Sequence, residues 1–109
     1  MISWNDFEKL DIRVGTITEA YEFPQAKKPA FRLQIDFGSF GIKSSSAQVT
    51  HFYQPATLVG MQVIAVINFP PKKIAGFTSE CLLLGIYDEN NNVVLLQPQQ
   101  PVSNGLKIG

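Results

Sequence analysis

The sequence is poor in chemistry-bearing residues. It holds one cysteine and one histidine in 109 residues. A single cysteine excludes an intrachain disulfide and any cysteine-cluster zinc or iron–sulfur site. His51 stands without a partner at His-x-x-x-His, Cys-x-x-Cys or Glu-x-x-His spacing, so no metal is expected. No apolar run approaches the ~18 residues that a membrane span needs. Met1 to Asp6 lacks the basic and apolar stretches of a secretory signal, and the expectation is a cytoplasmic protein. Charge is also scarce and balanced, with 9 Lys plus Arg against 9 Asp plus Glu. A net charge of zero argues against a globally basic nucleic-acid binder and an acidic disordered chain.

Catalytic groupings are missing too. Gly38-Ser39-Phe40-Gly41 lacks the spacing and the following lysine of a phosphate loop. Ser44-Ser45-Ser46 lacks the Gly-x-Ser-x-Gly frame of a nucleophile elbow. Cys81 begins an apolar strand and reads as a buried, inert thiol. The expectation is no cofactor and no enzyme.

What the chain does have is core material and turns. It is 45% hydrophobic, with 8 Phe, 3 Tyr and 1 Trp, enough for one packed core over residues 1–109. Seven prolines and eight glycines are spread along it, which suits short strands. Residues 1–10 read as a helix, with Ser3 as cap, Asp6 reaching back, and Ile2 and Phe7 at staple spacing. Trp4, Phe7 and Leu10 give it an apolar face that must dock elsewhere.

Strands are expected at Ile12–Phe23, with a bend or bulge at Gly15, at Ala30–Phe37 and at Ile42–Val49. Phe31, Leu33, Ile35 and Phe37 form the inward set, and Ala30, Arg32, Gln34 and Asp36 the outward set. A helical turn near Thr50–Leu58 precedes a central strand at Met61–Phe69. Lys72 to Phe77 reads as a loop, and Cys81–Tyr87 and Val93–Gln97 as a hairpin. The expected class is all-β: a five-stranded Greek-key barrel of oligonucleotide/oligosaccharide-binding (OB) type. It carries a short N-terminal helix, a short helical insertion and a β-rich C-terminal extension. A β-sandwich is the alternative, and its turn rhythm fits the long first strand less well.

Neutrality hides a distribution. Residues 1–26 carry −3, residues 27–79 carry +5, and residues 80–109 carry −2. The basic segment holds Lys27, Lys28, Arg32, Lys43, Lys72 and Lys73. Lys27 and Lys28 lie in a proline-framed loop; Lys72 and Lys73 follow Pro70-Pro71, with Phe77 beyond. Lysines attract phosphate without reading sequence, and aromatics stack. Equally, Phe77 could plug the barrel end and the lysines be merely solvated.

Several segments resemble one family. Asp11-Ile12-Arg13-Val14-Gly15-Thr16-Ile17 and Asn68-Phe69-Pro70-Pro71-Lys72-Lys73-Ile74-Ala75-Gly76-Phe77-Thr78-Ser79-Glu80 resemble the signatures of the tRNA-binding OB-fold module. Asp6–Arg13, Ile35–Gly38, Gly41–Thr50, Val63–Gly76, Val94–Pro98 and Asn104–Gly109 are similar to its CsaA family, the export-related bacterial chaperones. The chain departs from many tRNA-binding modules where Cys81-Leu82 replaces a Gly-Met pair.

The resemblance implies a homodimer, with Trp4, Phe7, Leu10 and the tail 98–109 at its interface. It implies binding of unfolded or pre-secretory polypeptides, with the export machinery as a further partner, and tRNA as the alternative ligand. Carried over residue by residue, the ligand site would comprise Asn68, Phe69, Lys72, Lys73, Phe77 and Ser79, with Ser45 and Gln48 on the third strand. Lys27 and Lys28 would form its rim.

Overall fold

The computed structural model describes all residues, Met1–Gly109. The N-terminal helix α1 is Trp4–Glu8, shorter than the residues 1–10 expected. Ser3 caps it as predicted. The Ser3 hydroxyl accepts from the Asp6 N–H, and the Asp6 carboxylate accepts from the Ser3 N–H. Leu10 falls beyond the helix, so the three apolar residues do not share one helical face. Phe7 packs on the barrel, while Trp4 stays 83% exposed.

Strand β1 (Ile12–Glu22) organises the barrel. Its first half pairs antiparallel with β4 (Gln62–Val66) and its second half with β2 (Phe31–Asp36), the handover falling at Thr16. The expected irregularity at Gly15 lies instead between Ile17 and Glu19. Gly15 has another job. A Cβ there would sit 2.7 Å from the Phe37 ring and 2.8 Å from Ile35, so only glycine lets these core side chains pack against the strand.

Strand β3 (Ile42–Ala47) pairs with β2, and β7 (Leu82–Leu83) with β4, giving the sheet order β3-β2-β1-β4-β7. The two outer strands approach each other and nearly close a five-stranded antiparallel barrel. This is the all-β OB architecture expected. Phe31, Leu33, Ile35 and Phe37 are buried as their alternation required, and Ile17, Val63, Ala65 and Leu58 join them in the core. Ala30, assigned to the outward set, is buried too. The insertion α2 is Pro55–Leu58, with proline in its first turn where no N–H is needed.

Two expectations fail at the periphery. Lys72 to Phe77 is no open loop. It belongs to a hairpin of β5 (Lys72–Ile74) and β6 (Phe77–Ser79). Ala75 and Gly76 turn it with φ of 48° and 83°, the two positive values that a tight two-residue hairpin demands. The predicted strand Cys81–Tyr87 breaks into β7 and β8 (Gly85–Tyr87), and β8 pairs with β9 (Val93–Leu95). The C-terminal extension forms no strand; it lies beside β1 through an isolated bridge, Arg13 to Lys107, and three main-chain hydrogen bonds to Ile12 and Val14.

A second apolar cluster lies on the outside of β1 and β4. Ile12, Val14, Ile64 and Val66 form it, and Phe7, Leu84, Leu96 and Ile108 cover it. The helix and the tail are thus held against one wall of the barrel.

Candidate ligand-binding face

The loop between β1 and β2 and the β5–β6 hairpin meet at one end of the barrel. Phe23, the last aromatic before the first loop, packs edge-on against Phe77 of the hairpin, with centroids 5.6 Å apart. Arg32 projects from β2 toward the same place. Its guanidinium carbon lies 5.6 Å from the Phe23 ring and 5.9 Å from the Tyr21 ring, and its Nε donates to the Glu22 carbonyl at 3.1 Å. Tyr21, Arg32, Phe23 and Phe77 therefore form a continuous aromatic–cation row. Sequence reasoning counted Arg32 in the basic segment but missed it as a site residue. The signal was its outward position on the cleanest alternating strand.

Lys27 and Lys28 are exposed on the first loop, and Lys72 and Lys73 on the hairpin. The protein's two ion pairs, Lys9–Asp6 and Arg13–Asp11, use none of the basic-segment cations. Lys27, Lys28, Arg32, Lys43, Lys72 and Lys73 are thus free of ion pairs, and their charge is unneutralised by direct contact. The two hairpin lysines are not equivalent. Side chains alternate along a strand, so Lys72 shares a face with Ile74, Phe77 and Ser79, while Lys73 shares the other with Thr78.

The hairpin is locked to β3 by a polar latch. The Glu80 carboxylate accepts from the Ser44 N–H and the Ser44 hydroxyl, each at 2.9 Å. The Ser44 hydroxyl also lies 2.6 Å from the Thr78 carbonyl. These contacts, the main-chain N–H of Ser44 foremost, hold the Glu80 carboxyl below its ordinary range. Cys81 sits just past the latch, and burial pushes its thiol up to about 12, which fits the inert cysteine expected.

Three of the predicted ligand residues have their polar groups committed elsewhere. Ser45 is buried, and its hydroxyl donates to the Cys81 carbonyl at 3.1 Å, so it fastens the barrel and does not face a ligand. Asn68 clamps the chain between α1 and β1. Its Oδ1 accepts from the Asp11 N–H at 2.9 Å, and its Nδ2 donates to the Lys9 carbonyl at 2.8 Å. The Ser79 hydroxyl accepts from the Ser46 N–H at 3.2 Å. Each satisfies main-chain groups that sequence spacing could not pair. Phe69 is half exposed between the Asn68 clamp and the hairpin. Gln48 is exposed and lines a separate groove.

That groove, about 380 Å³, lies where β3 and β7 approach. Ser46 to Val49 form one side, Leu82 to Gly85 the other, and the β8–β9 hairpin one end. Eight of its twelve lining residues are hydrophobic and none carries a formal charge. The hairpin of the cationic, aromatic end and the neutral, apolar groove thus both abut β3. No helix is long and apolar enough to cross a membrane.

Comparison with known proteins agrees with this geometry. Residues 12–107 match the family described as Putative tRNA binding domain. The crystal structure of chaperone CsaA from Bacillus anthracis str. Ames superposes with a TM-score of 0.95 at 54% identity, covering 100% of this chain and 99% of that one. That of the CsaA chaperone protein from Picrophilus torridus gives 0.93 at 49% identity, covering all of both chains. The methionine–tRNA ligase of Methanococcoides burtonii is 35% identical over 105 residues, 96% of this chain. The chain spans only 15% of that ligase's length. The loop-end aromatics, the basic hairpin and the whole-chain likeness converge, and the chain belongs to the CsaA family of tRNA-binding OB-fold proteins.

Proposed function

We propose that the protein holds unfolded or pre-secretory polypeptides in a chaperone-like manner, serving protein export. The observation that carries this reading is the uncharged apolar groove beside the cationic, aromatic loop end. Such a pair of surfaces accepts apolar segments with little sequence demand and attracts acidic flanks. Likeness to two proteins named as chaperones supports it.

The working form is a homodimer. Beyond the covered outer cluster, Trp4, Leu10, Ile86, Val94 and Leu106 are exposed apolar side chains. Ile86 and Val94 are cross-strand partners, and Ile86 lies two residues from Leu84, which packs against the outer cluster. A second copy would bury these side chains, and apolar exposure of this kind is a mark of an interface.

The test is suppression of aggregation. Purified protein at a stoichiometric ratio should delay light scattering by a chemically unfolded client, and labelled peptide should bind above background. Absence of both sinks the reading.

A second reading, binding of structured RNA such as tRNA, is favoured by the six cations free of ion pairs and by the stacking-competent Phe77 and Tyr21. It demands affinity that falls steeply with salt. Retained tRNA binding near physiological salt, lost in Lys72→Ala with Arg32→Ala, would establish it.

A further inference from the structure

The seam between β3 and β7 is fastened at one end and open at the other. At the fastened end, the Glu80 N–H donates to the Ser44 carbonyl at 2.8 Å, and the Ser45 hydroxyl and Ser46 N–H are bonded across the gap. Beyond Ser46 this lacing stops. The main-chain N–H and C=O of Gln48 have no hydrogen-bond partner in the protein. On the opposite side, Leu84 gives its N–H to Ile64 and its carbonyl accepts from Leu96. Main-chain groups alternate in direction along a strand, so those of Leu83 and Gly85 face the gap. The groove is therefore bordered by two strand edges, with Val49, Val93 and Leu95 supplying apolar lining.

We infer that an extended segment of polypeptide binds in this open seam by strand addition, between Gln48 and Leu83–Gly85. The inference rests on the polypeptide-holding reading and gives it a mode. Unpaired strand edges are satisfied by another backbone that presents N–H and C=O in alternation. The charge pattern selects the occupant. A nucleic acid brings phosphates into a groove that has no cation, whereas an uncharged strand loses no ionic hydration there. Pleating turns every second side chain of the guest toward the apolar lining and the others toward water. The guest must then alternate apolar and polar residues, and its identity otherwise matters little. Four residues on each side match a guest core of about four residues, some 13 Å of extended chain.

The test uses the full chain and a fluorescein-labelled, end-capped heptapeptide of alternating valine and threonine. Its partner is the same peptide N-methylated at alternate residues, which keeps the side chains and removes donors from one edge. Anisotropy titrations should show the methylated peptide binding about tenfold more weakly, the equivalent of one or two backbone hydrogen bonds. Gln48→Pro, which deletes an unbonded N–H, should lose a similar factor with the unmodified peptide. Should that variant not fold, the peptide pair decides alone. A methylated peptide bound within about threefold of the parent overturns the inference. So does displacement of the parent by a single-stranded oligonucleotide, or by raised protein concentration, which would assign the seam to RNA or to a second copy. If the heptapeptide fails to bind while client aggregation is still delayed, strand addition is wrong and the holding function stands. If neither occurs, the functional reading itself falls.

Discussion

Around the termini the polar side chains are spoken for, whereas at the loop end the cations are not. Arg13 bonds the Asp11 carboxylate at 2.7 Å and the Gly105 carbonyl at 3.1 Å, and stacks over Phe40 at 4.1 Å. The Thr16 hydroxyl bonds Asn104, whose Oδ1 also takes the Gln62 amide, and Gln62 reaches on to Val102. Asn68 fastens Lys9 and Asp11. At the other end, Lys27, Lys28, Lys72 and Lys73 are exposed without ion pairs, and the hairpin there turns through Ala75 at positive φ, a conformation that costs an alanine roughly 1–2 kcal/mol. One region spends its polar groups on holding the chain together. The other keeps them available and tolerates strain, which is where ligand-facing segments are found.

Substitutions can test that division. The largest effect should come from Phe37→Ala, which empties the fully buried position packed against Gly15. It should cost about 3–5 kcal/mol in chemical denaturation. Next, Asn68→Ala should cost about 1–3 kcal/mol for two lost hydrogen bonds, with peptide affinity unchanged. A change in affinity larger than the change in folded fraction would return Asn68 to the ligand site and blur the division.

Arg32→Ala with Phe77→Ala should do the reverse. Affinity for a ligand with an acidic or phosphate-bearing flank should fall about tenfold, while stability falls by no more than about 1–2 kcal/mol. If RNA is the ligand, the slope of log affinity against log salt should also drop by about one for the lost cation. For a peptide held by apolar contact the slope should barely move.

The smallest expected effect sharpens the boundary between the two regions, at the latch. Glu80 is depressed in the folded state, so its contribution is full above the ordinary glutamate range. That contribution is lost as pH falls through the lower folded value. Glu80→Gln should therefore lower stability slightly at neutral pH and flatten the acid limb of the stability–pH profile. An unchanged acid limb would mean that the Ser44 contacts contribute nothing in solution.

Much of the barrel was legible because the period-two pattern is a local property. Phe31, Leu33, Ile35 and Phe37 could alternate only if one face of β2 was buried. The helix cap was legible for the same reason, since Ser3 and Asp6 are neighbours. The loop Lys72–Phe77 was misread because Ala75 carries no turn preference in sequence; its partner strand and the Phe23 contact impose the hairpin. The main-chain bonds of Ser45, Asn68 and Ser79 were not legible, because a polar side chain near a candidate site looks the same whether it meets a ligand or a distant main-chain group. Asn68 and its clamp partner Asp11 are 57 residues apart.

By itself, then, the sequence determined the composition of the core, the alternating strands and the +5 segment, all of them properties of neighbours along the chain. The tertiary structure alone decided three things. It brought Tyr21, Phe23, Arg32 and Phe77 to one end, it left the seam open beyond Ser46, and it turned Lys72 and Lys73 to opposite faces. The first two depend on how strands far apart in sequence are laid side by side, a register that barrel closure sets, and the third on the pairing of β5 with β6 where the sequence suggested a loop.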